Sequence, residues 1–160
     1  PRYFKRKIFL DANITPCLIV SRQVRQWLEE AELKGMVFRP TAKEKGRGAA
    51  DLDNLWELTT ENIMPPMSPT MTWFDEHGNP AEPSDKQGRV LKEGFFRPIE
   101  YHYQNSRLEL MPETDFALTW EQFWWNGKMI RELIVSNRLY EFCKNRQLEM
   151  TWVPVRVDPQ

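Results

Sequence analysis

Few residues in this chain of 160 have the types and spacing that enzymatic chemistry needs. A serine or cysteine hydrolase requires a nucleophile held by a base, but the only histidines are His77, in a predicted turn, and His102, in a predicted strand. Neither lies in a Gly-x-Ser-x-Gly or Cys/His context. His102 stands between two tyrosines and could serve as a general base, so a small enzyme with an unrecognised site near His102 is one alternative. The missing motifs favour a binding protein.

The sequence also lacks motifs for phosphate binding and for metal binding. The one close pair of glycines, Gly46 and Gly48, lacks the third glycine and the Lys-Ser/Thr pair that would hold a phosphate. Asp51 and Asp53 form an Asp-x-Asp pair without the later ligands and the glycine of a calcium loop. We therefore predict no metal and no cofactor.

The cysteines and the hydropathy of the chain indicate in which cellular compartment the protein works. Cys17 and Cys143 are the only cysteines and belong to no zinc spacing, so we predict two buried thiols, with a disulfide between them as the alternative. The chain has no apolar segment of about 18 residues and no signal-peptide layout, which predicts a cytoplasmic protein without a membrane partner. Because the chain begins at Pro1, a lost leader is also compatible with the sequence.

The charges nearly cancel, with 22 Lys and Arg against 23 Asp and Glu, for a net charge of −1. A general nucleic-acid binder needs an excess of basic groups to neutralise phosphates, so we predict no nucleic-acid partner. The chain is rich in aromatic residues, with 7 Trp and 9 Phe. Aromatic side chains serve cores, and they are also enriched at protein interfaces.

The elements that would position a site are organised around a stretch that occurs twice. Residues 18–21 and 133–136 both have the sequence Leu-Ile-Val-Ser. Each Ser stands where a helix N-cap is needed, so a helix should begin directly after it. The apolar stripes of the two helices also correspond: Val24, Trp27 and Leu28 in the first, Leu139, Phe142 and Cys143 in the second.

A strand should follow each of these helices. Gly35 suits the left-handed C′ position of the first helix, and residues 36–38 are then a short strand that Pro40 ends. The second copy repeats the pattern with a strand over 149–153 before Pro154.

The rest of the chain is rich in strand and turn signals. We predict an edge strand over 3–10 with a basic exposed side, and an extended segment over 51–58, with a helical turn as the alternative there. A hairpin or exposed loop is predicted at Gly78-Asn79, and a mobile insertion over 81–94. A meander or hairpin is predicted within 95–111, connected at 104–106, and aromatic packing over 115–125. The predicted fold is a single α+β domain over 1–160. In it, two pseudo-repeated helix-strand units, 17–41 and 132–155, flank an antiparallel sheet from the β-rich middle, 51–120.

The second copy carries a resemblance to a known group. It contains Phe123-Trp124-Trp125, then Ile-Arg-Glu-Leu-Ile-Val-Ser over 130–136, then a helix and Met-Thr-Trp-Val-Pro-Val over 150–155. This order resembles the C-terminal signature of bacterial polymorphic-toxin immunity proteins, in which an aromatic strand leads into an Ile-Val-Ser/Thr helix start and a last strand follows. The middle of the chain is similar to the double-CxxCG immunity-like family. The CxxCG motifs are missing here, so the zinc sites of that family do not carry over.

The resemblance implies a small cytoplasmic protein that binds a cognate toxin domain in a stoichiometric complex and blocks it. No catalytic residue follows from it. From the residues themselves, we predict that the contact surface combines acidic groups with aromatics in irregular segments, because acidic groups complement a basic toxin and Trp is common at hot spots. The candidates are Asp51, Asp53, Glu57, Trp73, Asp75, Glu76, Trp124 and Trp125. A self-associating scaffold or homodimer is a further alternative.

Overall fold

The fold is taken from a computed structural model. It describes residues 9–10, 17–41, 54–69, 71, 73–74, 79–81, 101–125, 128–148, 150, 152 and 154–159. Over these residues the chain has an α+β fold. Contacts divide the chain into two compact units of three segments each: unit 1 is Pro1–Asn62, Glu113–Ala117 and Val135–Met150, and unit 2 is Ile63–Pro112, Leu118–Ile134 and Thr151–Gln160. A single domain over the whole chain stays a prediction.

The described elements are short. The strands are β1 (Phe9–Leu10), β2 (Leu18–Ser21), β3 (Val37–Pro40), β4 (Leu55–Thr59), β5 (Trp73–Phe74), β6 (Pro80–Ala81), β7 (Tyr101–Gln104), β8 (Phe116–Leu118), β9 (Phe123–Trp125), β10 (Lys128–Ile130), β11 (Leu133–Val135) and β12 (Val155–Asp158). The helices are α1 (Arg22–Glu30), α2 (Asn105–Leu108) and α3 (Asn137–Asn145). The main sheet has four strands in the order β1-β2-β4-β3, and further pairs join β9 with β10, β8 with β11, β7 with β12 and β5 with β6.

The four-stranded antiparallel sheet and α1 form one part of the core of unit 1. Leu18 and Val20 on β2 and Leu58 on β4 share one face, because residues two apart along a strand point the same way and Leu18 is paired with Leu58. All three are buried, as are Val24 and Leu28 on α1. The predicted helix stripe therefore packs on this face. The predicted extended segment over 51–58 is confirmed over its described part from residue 55 as β4, the strand between β2 and β3.

The two helices that follow Leu-Ile-Val-Ser begin in the same way. Ser21 and Ser136 are N-caps with extended backbone, at φ −73°, ψ 161° and φ −71°, ψ 160°. The Ser21 hydroxyl accepts from the N–H of Val24 over 3.2 Å, and the Ser136 hydroxyl accepts from the N–H of Leu139 over 3.1 Å. Each helix is 9 residues long. Ser supplies the acceptor that the first turn lacks, so the start of each helix follows from local chemistry.

The end of α1 differs from the prediction. The C-cap is Ala31, and the left-handed residue that follows is Glu32, at φ 51°, so Gly35 is not the C′ residue. Gly35 is left-handed as well, at φ 85°, but another constraint requires a glycine there. A Cβ at Gly35 would collide with the side chain of Thr114 and approach the carbonyl oxygen of Phe116 to 2.8 Å. Gly35 thus permits close packing of a distant segment of unit 1.

The wider repeat is not confirmed. Only residues 150 and 152 of the predicted strand over 149–153 are described, and neither is in a strand. The strand lies at β12 instead, after Pro154, and it pairs in parallel with β7. By contrast, β3 pairs antiparallel with β4. The strands that follow the two helices therefore have different partners, although the helix starts are alike.

The predicted hairpin within 95–111 is wrong in its second half. The first strand exists as β7, with Tyr101 and Tyr103 buried on one face as the alternation predicts. The chain then forms the helical turn α2, and Leu110, expected on a buried strand face, is 86% exposed. The Asn105 side chain donates to the Glu109 carboxylate over 2.6 Å, an i,i+4 contact that a helical turn permits and a strand does not.

The remaining predicted features are the Gly78-Asn79 hairpin, the edge strand, the insertion and the two thiols. β5 and β6 pair antiparallel across the predicted Gly78-Asn79 turn, which confirms the hairpin. β1 lies at the edge of its sheet, as predicted for 3–10, although residues 3–8 lie outside the described residues. The predicted insertion over 81–94 is described only at residue 81, in β6. Cys17 and Cys143 are buried free thiols, as predicted. None of the described helices is long and apolar enough to cross a membrane.

Candidate functional site: a mixed sheet face in unit 1

Glu57 lies at the middle of the sheet face that points away from α1. The pairing registers place it between Ile19 on β2 and Arg39 on β3, so these three side chains form a row across the sheet. Glu57 and Ile19 are half-buried and Arg39 is exposed. Complete burial of an unpaired carboxylate is costly. Glu57 is only half-buried, so its carboxylate remains accessible to a side chain of another protein.

The residues around this row are largely apolar. Leu55, Thr59 and Val37 share the face by strand alternation, and all three are half-buried. We call the set Ile19, Val37, Arg39, Leu55, Glu57 and Thr59 the Glu57 face. Arg39 is held by an ion pair of 3.7 Å with Glu61. The face therefore combines three apolar side chains, Ile19, Val37 and Leu55, with the polar Thr59 and the opposite charges of Glu57 and Arg39.

The other predicted contact residues do not join Glu57 in one described patch. Trp73 lies in β5, and Trp124 and Trp125 lie in β9, all of them in unit 2, whereas Glu57 is in unit 1. Only the backbone of these tryptophans is described. Asp51, Asp53, Asp75 and Glu76 lie outside the described residues. Glu57 is thus the one predicted contact residue whose side chain and surroundings the structure describes.

The opposite face of the same sheet carries an aromatic and cationic stack that the sequence analysis missed. The Arg25 guanidinium on α1 lies 3.7 Å from the ring centroid of Trp56 and 5.4 Å from that of Phe38. It also donates to the Glu29 carboxylate over 2.7 Å. The Arg25–Glu29 spacing at i,i+4 was visible in the sequence, but the stack depends on sheet pairing. This stack fixes α1 on the sheet that bears the Glu57 face.

A buried acid and phenol form a second distinctive cluster, in unit 2. Glu121 is 4% exposed and Tyr103 is fully buried. One oxygen of Glu121 accepts from the N–H of Met67 over 2.7 Å, whereas Oε2 of Glu121 and the Tyr103 hydroxyl have no hydrogen-bond partner. Burial raises the pKa of Glu121, against the lowering effects of the Met67 N–H and of the Arg131 charge. Burial, and then the charge of Glu121, raise the pKa of Tyr103.

The described residues do not place the buried acid Glu121 on the face of His102. His102 and Tyr103 are neighbours on β7, so their side chains point to opposite faces of the strand. The carboxyl group with a raised pKa, Glu121, is close enough to raise the pKa of Tyr103, whose side chain is on the face opposite to that of His102. The described residues therefore place no shifted acid beside His102. An unrecognised site there stays an untested alternative.

Asp115 is a buried carboxylate with a structural role in unit 1. It is 5% exposed, and Oδ2 accepts from the N–H of Lys34 over 2.8 Å and lies 3.6 Å from the Arg138 guanidinium. The other oxygen, Oδ1, accepts from the Ser136 hydroxyl over 2.5 Å. Both oxygens are thus bonded, which offsets the cost of burying the charge. No sequence signal identified this residue, because its partners are remote in the chain.

Neither metal-binding residues in the described part of the chain nor known relatives indicate the function of these sites. Among the residues described, no group of three or more His, Cys, Asp or Glu side chains could hold a metal ion. Comparisons with family models, with curated proteins and with solved structures find no match for the chain.

Proposed function

We propose that this protein is an immunity-type inhibitor that neutralises a cognate bacterial toxin domain by direct stoichiometric binding in the cytoplasm. The Glu57 face is proposed as its contact surface. The observation that supports the proposal most strongly is the position of Glu57, a half-buried carboxylate beside half-buried Ile19 and Leu55 on the sheet face that points away from α1.

The composition of the Glu57 face suits protein binding. Interface hot spots consist of groups that lose water completely on binding and are surrounded by contacts that exclude it. Ile19, Val37 and Leu55 would supply apolar contacts, and Glu57 would supply a carboxylate for which no ion pair is recorded in the fold although Arg39 lies opposite it on β3. A Lys or Arg side chain of the toxin is the complementary group.

Binding through the face is better supported than binding through the sheet edge. β3 is the edge strand on that side among the described strands, and it ends at Pro40, which has no N–H to donate to an added strand. β3 is also only 4 residues long and carries the exposed Arg39. Short edges with proline and charge resist strand addition, so side chains of the face would make the contact.

The test begins with the tagged protein purified from its native host. We expect one near-stoichiometric protein partner that is toxic when expressed alone and harmless when this protein is co-expressed. Glu57→Lys should weaken the complex at least tenfold, about 1.4 kcal/mol, because it would place like charges together. It should also reduce protection from the toxin.

Glu30→Lys is the matched control. It makes the same charge change in unit 1, at the exposed last residue of α1 rather than on the sheet face. We expect this variant to bind and protect like the wild type. Glu57→Lys places a lysine opposite Arg39 and should lower the thermal midpoint slightly, so binding is measured at a temperature at which both variants are folded. Equal binding by both variants would remove the Glu57 face from the proposal, and the absence of any toxic partner would refute the immunity function itself.

A further inference from the structure

Arg39 on β3 lies opposite Glu57 on β4, but its ion pair is with Glu61. The pairing register places Arg39 and Glu57 directly opposite each other, and opposite charges attract at such positions. Nη2 of Arg39 nevertheless lies 3.7 Å from Oε1 of Glu61, and no ion pair joins Arg39 to Glu57 among the described residues. Arg39 therefore has two carboxylates near it and pairs with the one beyond the end of β4.

The backbone on both sides of Glu61 is held by hydrogen bonds within unit 1. Thr60 is buried, and its hydroxyl donates to the carbonyl of Phe116 over 2.9 Å. The side-chain amide of Asn62 donates to the Thr114 hydroxyl over 2.8 Å, and the N–H of Asn62 donates to the Thr60 hydroxyl over 3.1 Å. Glu61 lies between these two anchored residues, so its exposed carboxylate is presented to Arg39 from a fixed point of the chain.

Which carboxylate Arg39 pairs with affects the Glu57 face. A guanidinium paired with Glu57 would cancel its charge, so a basic group of another protein would first have to displace it. A guanidinium paired with Glu61 leaves the Glu57 carboxylate accessible. The side chains of Arg39 and Glu61 are 58% and 81% exposed, and ion pairs this exposed are weak. The effect of the Arg39–Glu61 pair on binding at Glu57 is therefore at most about fivefold.

We propose that Glu61 is a positioning residue, which holds the Arg39 guanidinium away from Glu57 and so keeps the Glu57 carboxylate available to a basic side chain of the partner. This inference rests on the proposed function of the Glu57 face. It assigns Glu61 no contact with the partner, because Glu61 acts only through Arg39. Without Glu61, Arg39 turns to the carboxylate directly opposite it, and the basic group of the partner must compete with an internal one.

The first measurement needs no partner protein. Urea unfolding of Arg39→Gln, Glu57→Gln and the double variant gives the coupling between the two side chains as a double-mutant cycle. We expect a stronger favourable coupling when the cycle is repeated in the Glu61→Gln background, because Arg39 then pairs with Glu57. High salt should remove the increase, since both side chains are partly exposed. The same coupling in both backgrounds would overturn the inference.

The second measurement uses the partner that co-purifies from the native host. Glu61→Gln should weaken the complex about two- to fivefold. Adding Arg39→Gln should restore the wild-type affinity, because no guanidinium then competes for Glu57. Glu30→Gln, which removes the same charge at the exposed last residue of α1, should bind like the wild type.

The two measurements separate the inference from the function on which it rests. Unchanged binding by Glu61→Gln, or no recovery in the double variant with Arg39→Gln, would overturn the positioning role, because a purely structural effect of Glu61 would not be rescued at Arg39. The absence of a toxic partner would refute the immunity function. The coupling between Arg39 and Glu57 would then still decide whether Glu61 holds the guanidinium away.

Discussion

The Ser136 hydroxyl joins the first turn of α3 to the buried Asp115. It accepts from the N–H of Leu139 over 3.1 Å and donates to Oδ1 of Asp115 over 2.5 Å, so one hydroxyl is both a helix cap and a tertiary contact. The backbone N–H of Ser136 also donates to the carbonyl of Asp115 over 3.1 Å. Ser21 caps α1 with the same backbone geometry, and its hydroxyl accepts from the N–H of Val24.

The first prediction compares the two caps. Ser21→Ala should lower the free energy of unfolding by about 1 kcal/mol, the usual cost of losing a cap. Ser136→Ala should cost about 1–3 kcal/mol more, because it also removes a hydrogen bond to a buried charged group. Urea unfolding followed by circular dichroism measures both. Equal losses for the two variants would show that the bond to Asp115 contributes nothing to stability.

The second prediction concerns Glu121 and pH. Burial raises the pKa of this group in the folded state, so the protonated carboxyl favours folding. The stability it confers is present at low pH and is lost as pH rises from the ordinary pKa of Glu through the raised value. Glu121→Gln keeps an acceptor for the Met67 N–H and removes the titration. The variant should gain stability over the wild type across that window, by about 1.4 kcal/mol per unit of pKa shift.

Denaturant unfolding at a series of pH values measures the difference in the free energy of unfolding between Glu121→Gln and the wild type. Glu61→Gln is the matched control, because Glu61 is a surface carboxylate whose side chain is 81% exposed. The stability of Glu121→Gln at each pH is compared with that of this variant as well as with the wild type. A difference for Glu121→Gln that is flat, or that falls with pH, would contradict the assignment of a raised pKa.

The third prediction concerns Gly35. Gly35→Ala should destabilise unit 1 by about 2 kcal/mol or more, because the added Cβ meets Thr114 and Phe116 and because φ is positive. Glu32→Gly is the contrast, since Glu32 also has a positive φ, and glycine accepts that conformation without strain. It should lie within about 1 kcal/mol of the wild type. Thermal unfolding measures both, and a stable Gly35→Ala variant would show that Thr114 and its neighbours can move aside.

The fourth prediction concerns the thiols. Burial raises the pKa of Cys143 to about 11, so the thiolate that reacts with disulfide reagents is scarce near neutral pH. We expect Cys143 to stay unmodified by a chromogenic disulfide reagent in the native protein and to react fully after unfolding in urea. Cys17→Ser isolates the Cys143 signal. Fast native labelling would show that α3 opens readily from the core.

The features that could be predicted from the sequence are those that depend on neighbours in the chain. The N-caps at Ser21 and Ser136 follow from one residue type before an apolar periodic segment, and the hairpin of β5 and β6 follows from a Gly-Asn turn. Alternation placed Tyr101 and Tyr103 on a buried face. In each case the stabilising contact lies within a few residues.

The features that could not be predicted depend on distant pairing. β12 lies beside β7 although more than 50 residues separate them, and nothing local in Val155–Asp158 indicates a parallel partner. Glu121 is bound by the N–H of Met67, 54 positions away, so its burial left no local signal. At α2, the alternating leucines predicted a strand, but the contact from Asn105 to Glu109 accompanies a helical turn.

The division of unit 1 into three stretches of chain affects how it can form during synthesis. Arg138 on α3 donates to the carbonyl of Ala31 at the end of α1 over 2.7 Å, and α3 belongs to the last stretch, which ends at Met150. A domain that is continuous in sequence can fold as soon as it leaves the ribosome, with the N-terminal part first. Here α1 and its sheet emerge long before α3, so unit 1 can be complete only after the residues up to Met150 have been synthesised.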